Sequence, residues 1–493
     1  MSSKKTTLTL FSCLGLFVTL GCWAISGPLG AGPRLDPDHH ISSIWCAWGE
    51  SSGVCENLGP GGNFGYKAEV PFMFSMCEGR PIDYWQKCSD QAAQPEMQEL
   101  RTSFPINENL YYKIMRIFAS EQPTQSILGI RLLNVLLFAF MFLLMQLLLS
   151  PRQLKAATTS WLIMLFPVGS EILTSVNPRA WSYIGVMSGW VFLQEIFVRR
   201  RENHAISFSL LFAYLFSAFL CVSTRWDATL YFLITSGFVV IINMNLKILQ
   251  KNRSQFVIIA LLSSPILFFA SQRAPVLSSF FSLPTASYLS KPQMIFFYVA
   301  NFPSIISENW KQPPQYAGGT SQSILILSVV LIGAWCAHTL RKYPTGKIWV
   351  PLTLGVFLVV TVVRGAFLWQ ELLGIQGEYF FGLIVALIGI ISIWSEEPDF
   401  LFRSRATATT FISMISLVNF FALFNYLEFY VRKGENIGSF ESISLSGGWW
   451  WNSIIGPNFV LLVATVSLPA SLICLYKSKR YDNDNSLIHA DRQ

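Results

Sequence analysis

Residues 128–150 of the chain have the sequence LGIRLLNVLLFAFMFLLMQLLLS, an apolar run that carries a single charged residue, Arg131. An α-helix rises about 1.5 Å per residue, so about 20 such residues cross the roughly 30 Å hydrocarbon core of a bilayer. The run therefore predicts a transmembrane helix.

The composition of the whole chain agrees with a membrane location. Of its 493 residues, 52% are hydrophobic and 13% are charged, whereas about a quarter of the residues of a soluble globular protein are charged. This balance excludes a water-soluble globule. The formal net charge of +7 does not indicate a nucleic-acid partner, because the basic residues form short clusters between apolar runs instead of one basic face.

The same length criterion finds about 12 candidate spans along the chain. They cover residues 8–27, 128–150, 156–174, 181–198, 205–223, 228–246, 255–272, 322–340, 348–365, 379–395, 407–427 and 456–476. The sequence thus predicts an all-α polytopic membrane protein, with one transmembrane domain over residues 1–480 and a short tail over residues 481–493.

Basic residues mark every second connection between these spans. They are Lys4, Lys5, Arg152, Lys155, Arg199, Arg200, Arg201, Lys247, Lys251, Arg253, Arg341, Lys342, Lys347, Arg403, Arg405, Lys477, Lys479 and Arg480. The positive-inside rule places these connections, both termini and the tail on the cytoplasmic side of the cell membrane. A cleaved signal peptide is the alternative for the first span, since small residues stand at Ala24 and Ser26, but cleavage would leave the later topology unchanged.

The extracytoplasmic side receives two long loops, residues 28–125 and 273–320. The first contains four cysteines, Cys46, Cys55, Cys77 and Cys88, whereas the other five lie in predicted spans. An even number of cysteines in an exported loop favours two disulfides, although the pairing stays open. The alternative, a zinc site, lacks the C-x2-C spacing. In the same loop, residues 107–119 have helical apolar spacing and predict a helix along the membrane surface.

Acidic and imidazole groups follow the first span, at Asp36, Asp38 and His40. A carboxylate at this depth can act as general base toward a sugar hydroxyl, and the imidazole can orient that carboxylate or the acceptor by hydrogen bonding. The alternative is a solvated turn, because Asp, Pro and His are common loop residues. Two Asp and one His do not establish a metal site, so a divalent cation remains an open alternative.

This layout resembles the GT-C superfamily of membrane glycosyltransferases. More narrowly, it resembles a bacterial family of polytopic membrane proteins of unknown function that is grouped with GT-C enzymes. That family's first outer loop opens with an Asp-Glu-x-x-His-like pattern, which the chain matches at Asp36 and His40. Pro37 replaces the Glu, so the resemblance leaves open whether Asp36 or Asp38 is the working carboxylate.

A second match stands before the tenth predicted span, where Gln376-Gly377-Glu378-Tyr379 is similar to the family's Gln-Gly-Arg-Tyr motif. Glu378 replaces the Arg, so Arg364 would have to supply the positive charge toward an anionic group. Two shorter local matches are Asn177-Pro178-Arg179 and Thr224-Arg225-Trp226-Asp227.

The resemblance implies a GT-C-like fold and transfer of a sugar from a polyprenyl-phosphate donor to an extracytoplasmic cell-envelope glycan or glycolipid. Arg225 and Arg364 would hold the donor phosphate, and Gln376 and Tyr379 would contribute to substrate binding. The other candidate arginines on that side are Arg179, Arg273 and Arg432. The alternative for each arginine is a helix-end anchor whose side chain reaches the membrane surface.

Two other functions are compatible with the sequence. A transporter or flippase for a lipid-linked glycan would have interrupted helices and charges near the middle of the bilayer, whereas the charges here gather at one edge. An inactive scaffold of an envelope-assembly complex is favoured by Pro37 and Glu378, the two departures from the family pattern.

Overall fold

The structure is a computed structural model. It describes residues 3–27, 37–48, 55–57, 65–68, 98–101, 110–120, 123–243, 381–395, 404–431 and 455–490, together with isolated positions between 330 and 355.

Twelve helices of the described ranges are used below. They are α1 (Ser3–Ser26), α2 (Pro37–Trp45), α3 (Leu110–Met115), α4 (Pro123–Leu148), α5 (Pro151–Met164), α6 (Ser170–Leu173), α7 (Arg179–Arg201), α8 (Phe208–Val222), α9 (Trp226–Asn243), α10 (Phe381–Trp394), α11 (Arg405–Val431) and α12 (Pro457–Ala490). A 3-10 turn, Arg116–Phe118, follows α3. The last helix passes the predicted start of the tail at residue 481.

Within the described ranges, five helical segments are long and apolar enough to cross a membrane. They are Thr6–Ser26, Gln125–Leu148, Pro151–Leu173, Arg405–Leu427 and Pro457–Ser478, and α8, α10 and most of α9 form shorter apolar helices. The protein is therefore a polytopic membrane protein. The total of about 12 spans stays a prediction, because residues 255–272 lie outside the described ranges, and only part of 322–340 and two positions of 348–365 lie inside them.

A small sheet belongs to the first loop. Its strands are β1 (Cys55–Asn57), β2 (Gly65–Ala68) and β3 (Gln98–Arg101), which pair antiparallel in the order β1-β2-β3. The helical prediction holds for the membrane part, and the sheet is an addition that the sequence did not predict. Strands of three or four residues are too short to show an alternating apolar pattern.

The third predicted span is interrupted. Between α5 and α6 the chain forms a π-helical turn, Leu165–Gly169, in which Phe166 is extended at φ −119° and ψ 141°. Pro167 follows through a cis peptide bond. A proline inside a helix removes one hydrogen bond and crowds the preceding turn, so the break lies where the apolar run contains its proline.

Small and hydroxyl-bearing residues bring α1 and α12 together. Ser471 donates from Oγ to the Ser12 carbonyl oxygen at 2.7 Å, and the hydroxyls of Thr19 and Ser467 lie 2.8 Å apart. Between these pairs, a Cβ added to Gly15 would lie 2.7 Å from the Ser471 Cβ. Helices in membranes commonly pack through such residues, because small side chains allow close backbone approach.

Among the described residues, the basic residues Arg152 and Arg199 of two predicted clusters lie at one end of the bundle. There the buried carboxylate of Glu195 accepts hydrogen bonds from Arg199 Nε at 2.9 Å, Ser150 N at 3.0 Å and Ser150 Oγ at 2.8 Å. Arg152 donates from Nε to the carbonyl oxygen of Ile393 at 2.9 Å. We call this the basic end, and the opposite end, which carries α2, the α2 end.

Helix α7 occupies the interior of the bundle. Its residues from Arg179 to Ile196 are buried, and α5, α8, α9 and α10 pack around it. Two glycines allow this packing: a Cβ on Gly189 would lie 2.2 Å from the Phe232 ring, and a Cβ on Gly389 would lie 2.1 Å from the Trp190 ring. The first turn of α7 therefore lies among the ends of several helices.

Candidate functional site

A cleft opens at the α2 end where helices α7 and α9 begin, beside Gly382 of α10. Helices α7 and α9 start at Arg179 and Trp226, respectively. The first N–H groups of a helix have no partner within it, and the helix dipole is positive there, so such ends favour an anion. The residues that line the cleft are Arg179, Ser182, Tyr183, Val186, Arg225, Asp227, Ala228, Tyr231 and Gly382.

Arg225 is held in the cleft by its neighbour Asp227. The Arg225 Nε lies 3.0 Å from Oδ1 and 3.2 Å from Oδ2 of Asp227, and the two side chains are 15% and 13% exposed. Oδ1 also accepts the backbone N–H of Ala228 at 3.0 Å. The carboxylate therefore fixes the guanidinium group and satisfies one N–H of the first turn of α9.

A second guanidinium group, that of Arg179, lines the same cleft and is 7% exposed. The Asn177 side chain accepts the backbone N–H of Arg179 at 2.9 Å, which fixes the turn that starts α7. The described lining of the cleft thus carries two cationic side chains, Arg179 and Arg225, and one anionic side chain, Asp227. This excess of positive charge suits a phosphate group.

The remaining walls are aromatic and small. Tyr183 and Tyr231 are buried, and a Cβ added to Gly382 would lie 3.2 Å from the Tyr183 Cδ1. The enclosed space is only about 10 Å³, which is room for about one water molecule. The cleft therefore offers a small, open cationic surface and does not enclose a whole lipid.

The layer formed by α2 and α3 packs beside the cleft. His40 is buried, and its Nδ1 lies 2.8 Å from the hydroxyl of Tyr112. The adjacent Tyr111 donates from its backbone N–H to the Ser223 carbonyl oxygen at 2.9 Å and from its hydroxyl to the Val176 carbonyl oxygen at 2.9 Å. Burial raises the pKa of Tyr111, so its hydroxyl stays a neutral donor. These contacts join His40 to the connection that leads into Arg225.

Three of the seven predicted site residues lie in the described ranges, and their roles stay predictions. The structure brings His40 and Arg225 to one end of the bundle, and the backbone of Asp38 lies in the first turn of α2. The other four predicted residues, Asp36, Arg364, Gln376 and Tyr379, lie outside the described ranges. Tyr379 stands three positions before Gly382 in the sequence.

Three residues of the cleft were not predicted as site residues from the sequence. Arg179 was one of several candidate arginines, and Asp227 and Tyr231 were not chosen as site residues at all. Asp227 and Tyr231 are four positions apart, a spacing that places side chains on one helical face. With the start of α9 known, this spacing would have indicated a shared surface.

The metal alternative is not decided by the structure. Within the described ranges, no group of three or more His, Cys, Asp or Glu side chains is arranged to hold a metal ion. Asp36 lies outside those ranges, so a cation held by Asp36 and Asp38 stays an open alternative.

Cys46, directly after α2, is disulfide-bonded. Five other cysteines of the described ranges are free, namely Cys13, Cys22, Cys221, Cys336 and Cys474. The prediction of two disulfides is therefore supported at one position. The pairing among Cys46, Cys55, Cys77 and Cys88 stays a prediction, because the structure describes no side chain at the last three.

Comparison with known families gives one result. The model of a family described as "Predicted membrane protein (DUF2142)" matches residues 16–387. No curated protein and no solved structure matches the chain. The matched range extends from α1 into α10 and includes every residue that lines the cleft.

Proposed function

The chain belongs to the DUF2142 family of membrane proteins, and we propose that it is a GT-C-type glycosyltransferase. It transfers a sugar from a polyprenyl-phosphate donor to an extracytoplasmic cell-envelope glycan or glycolipid. One observation carries the proposal: the guanidinium groups of Arg179 and Arg225 line a single cleft at the starts of α7 and α9. Such a cleft suits the phosphate of a lipid-linked donor.

The proposed orientation follows from charge. The basic end faces the cytoplasm by the positive-inside rule, so the α2 end faces outward from the cytoplasmic membrane. The cleft then lies near headgroup depth, where the phosphate of a lipid-anchored donor resides while its polyprenyl chain stays among the spans. An acceptor supplied from outside the cell reaches the same depth.

The two arginines hold the donor phosphate and stabilise the negative charge that grows on it as the sugar leaves. Guanidinium groups bind phosphate oxygens through paired, charge-assisted hydrogen bonds, and preorganised donors act most strongly where charge develops. Arg364, Gln376 and Tyr379 add contacts to the donor. The motif that contains Gln376 and Tyr379 directly precedes α10, whose Gly382 lines the cleft.

The proton of the acceptor hydroxyl passes to Asp36, with Asp38 as second choice. The acceptor oxygen forms a bond to the anomeric carbon as the bond from that carbon to the phosphate oxygen breaks, with inversion, and polyprenyl phosphate leaves. His40 has a supporting role. It orients the carboxylate or the acceptor by hydrogen bonding, and the contact of its buried Nδ1 with the Tyr112 hydroxyl fixes its ring.

Donor binding can be tested without knowing the sugar. The probe is farnesyl phosphate, and the readout is its stabilisation of the purified protein against heat. We expect stabilisation by farnesyl phosphate and none by farnesol, since the cleft recognises the phosphate. Arg225→Gln and Arg179→Gln should each weaken binding about tenfold, consistent with loss of one charge-assisted contact. Arg200→Gln, at the basic end, is the control. Equal responses to phosphate and alcohol would refute a phosphate site.

The transfer reaction is tested in membranes with Asp36→Asn, Asp38→Asn and the double variant. The substrates are polyprenyl-phosphate pentoses and hexoses, and the readout is release of polyprenyl phosphate together with labelled glycan. We expect the double variant to lose at least about a hundredfold in rate, the range that a general base contributes. Full activity in the double variant would remove the proposed base.

A lipid-linked glycan transporter is the second candidate, and the break at Phe166 favours it, because interrupted helices form the substrate sites of many transporters. Among the described residues, however, the buried charges lie toward helix ends and not at the middle of the bilayer; they are Arg131, Glu171, Arg179 and Glu195. Movement of a labelled lipid-linked glycan across proteoliposomes without its cleavage would favour the transporter. A protein that shows neither sugar transfer nor transport would support the third candidate, an inactive scaffold.

A further inference from the structure

An exposed patch lies at the α2 end, outside the cleft. We call it the interface patch, and it consists of Trp48, Leu110, Lys113, Arg116, Ile117 and Phe118. Ile117 is 72% exposed, Trp48 50%, Leu110 42% and Phe118 36%. The opposite face of the same segment is buried at Tyr111, Tyr112 and Met115. The segment is therefore amphipathic, with one face buried in the protein and the other exposed at Leu110, Ile117 and Phe118.

The depth of the patch is fixed by its contact with α4. A Cβ added to Gly129 would lie 3.3 Å from the Phe118 Cδ1, so the Phe118 ring packs on that glycine. Gly129 stands four residues inside the apolar span Gln125–Leu148, which corresponds to about 6 Å along the helix. Phe118 thus reaches the edge of the hydrocarbon core, and its exposed neighbour Ile117 lies at nearly the same level.

The charges of the patch complement an anionic surface. The Arg116 guanidinium carbon lies 5.5 Å from the centre of the Trp48 ring, and Arg116 Nη1 donates to the Ala119 carbonyl oxygen at 3.2 Å. Lys113 is the second cation, and residues 110–120 contain no acidic residue. Trp and Arg side chains are favoured at headgroup depth, the first for its amphipathic ring and the second for its reach toward phosphate.

We propose that the interface patch binds the membrane surface, with Ile117 and Phe118 inserted at the boundary between headgroups and acyl chains. Lys113 and Arg116 bind the headgroups of anionic phospholipids. The occupant is lipid, because exposed apolar side chains at the edge of the hydrocarbon core meet acyl chains. This inference is independent of sugar transfer. It also gives the patch a second role, since lipid binding beside α2 fixes the depth of α3 and hence of His40.

Local quenching of a fluorescent label tests the insertion. Ile117→Cys carries an NBD label in full-length protein in bilayer nanodiscs, with the unsubstituted protein as background. His204→Cys at the basic end is the aqueous reference, and Leu215→Cys within α8 is the buried-in-lipid reference. We expect iodide to quench the label at 117 at least threefold less than at 204. Lipids with a doxyl group at carbon 5 should quench the label at 117 more than lipids with the group at carbon 12. The label at 215 should show the reverse order.

The headgroup preference is tested at the same position. Quenching of the 117 label by doxyl phosphatidylglycerol is compared with that by doxyl phosphatidylcholine. We expect an enrichment of the anionic lipid of about fivefold or more, and its loss in the Lys113→Gln/Arg116→Gln double variant, since each basic residue contributes about this factor. The charge-preserving Lys113→Arg/Arg116→Lys variant should retain it. Iodide quenching as strong as at 204, or a label shielded from every quencher as in a protein contact, would overturn the proposal. Equal enrichment in both double variants would also overturn the role of the two charges.

Discussion

The carboxylate of Asp227 faces the Nε of Arg225, with its two oxygens 3.0 and 3.2 Å away. An amide in place of the carboxylate keeps an oxygen that accepts the same hydrogen bond but removes a negative charge from beside the cleft. We therefore expect Asp227→Asn to bind farnesyl phosphate at least as tightly as the original protein. Asp227→Ala should bind it about tenfold more weakly, because the arginine loses its positioning contact. Thermal titration of both variants measures the difference, and equal affinities would show that Asp227 does not position Arg225.

Gly15 and Gly21 lie on the same helix and provide a matched pair. A Cβ on Gly15 would meet the Ser471 Cβ at 2.7 Å and the Ser467 carbonyl oxygen at 3.0 Å, whereas a Cβ on Gly21 would have nothing within 4 Å. We expect Gly15→Ala to destabilise the protein by about 1–3 kcal/mol through overpacking. Gly21→Ala should be neutral or slightly stabilising, since alanine favours the helix. Thermal unfolding in detergent gives both values, and combining Gly15→Ala with Ser471→Gly should restore part of the loss.

Glu195 joins α7 to the connection between α4 and α5 at the basic end, and its side chain is only 2% exposed. Glu195→Ala leaves Arg199 and the Ser150 N–H without this acceptor, so we expect a loss of about 2 kcal/mol in unfolding free energy. Glu195→Gln keeps an acceptor oxygen for Ser150 and should lose about half as much. The measurement is again thermal unfolding in detergent. Similar stability of all three proteins would mean that the buried carboxylate contributes nothing net, as some buried ion pairs do.

The proposed orientation predicts that two exposed positions lie on opposite sides of the membrane. His204 lies at the basic end, and Ile455 lies beside the start of α12 at the α2 end. In intact cells, a membrane-impermeant thiol reagent should label Ile455→Cys and not His204→Cys. Permeabilised cells should give labelling at both positions. The reverse pattern in intact cells would place the cleft in the cytoplasm and exclude an extracytoplasmic donor site.

The prediction of two disulfides fixes the number of cysteines that should react with an alkylating reagent. If Cys46, Cys55, Cys77 and Cys88 form two disulfides, the five free cysteines are the ones that react when the protein is unfolded without reductant. Mass spectrometry of the alkylated protein should then show five added groups, and all nine cysteines should react after reduction. Seven groups without reductant would leave only one disulfide, and would limit the prediction to the bond at Cys46.

The membrane helices were predictable because their signal is local. An apolar run such as 128–150 forms a helix because of its own composition. The helix in the structure, Pro123–Leu148, starts five residues before the predicted span and ends two residues before its predicted end. The break at Phe166 was not predicted, although Pro167 stands inside the predicted span. The length and apolarity of a run predict a span but do not show whether its helix is continuous. The sheet was missed because strand pairing joins distant segments, such as Gly65 with Arg101, and no single segment shows it.

The cleft was predictable only in part, for the same reason. A short, constrained connection drew attention to Arg225, but its neighbours come from two other helices. Whether Arg179 faces Arg225 depends on how α7 packs against α9, which is set by contacts such as Gly189 with Phe232. A local motif such as Asn177-Pro178-Arg179 fixes the turn and leaves its partners undetermined.

The order in which the three cleft helices leave the ribosome follows from their positions. Arg179 and Arg225 belong to helices α7 and α9, but the wall supplied by Gly382 enters the membrane only after more than a hundred further residues have been translated. Throughout that interval the two guanidinium groups lack the helix that completes their surroundings. Nascent chains stalled before α10 should thus be unable to retain farnesyl phosphate, even though every cationic side chain of the cleft has already been synthesised.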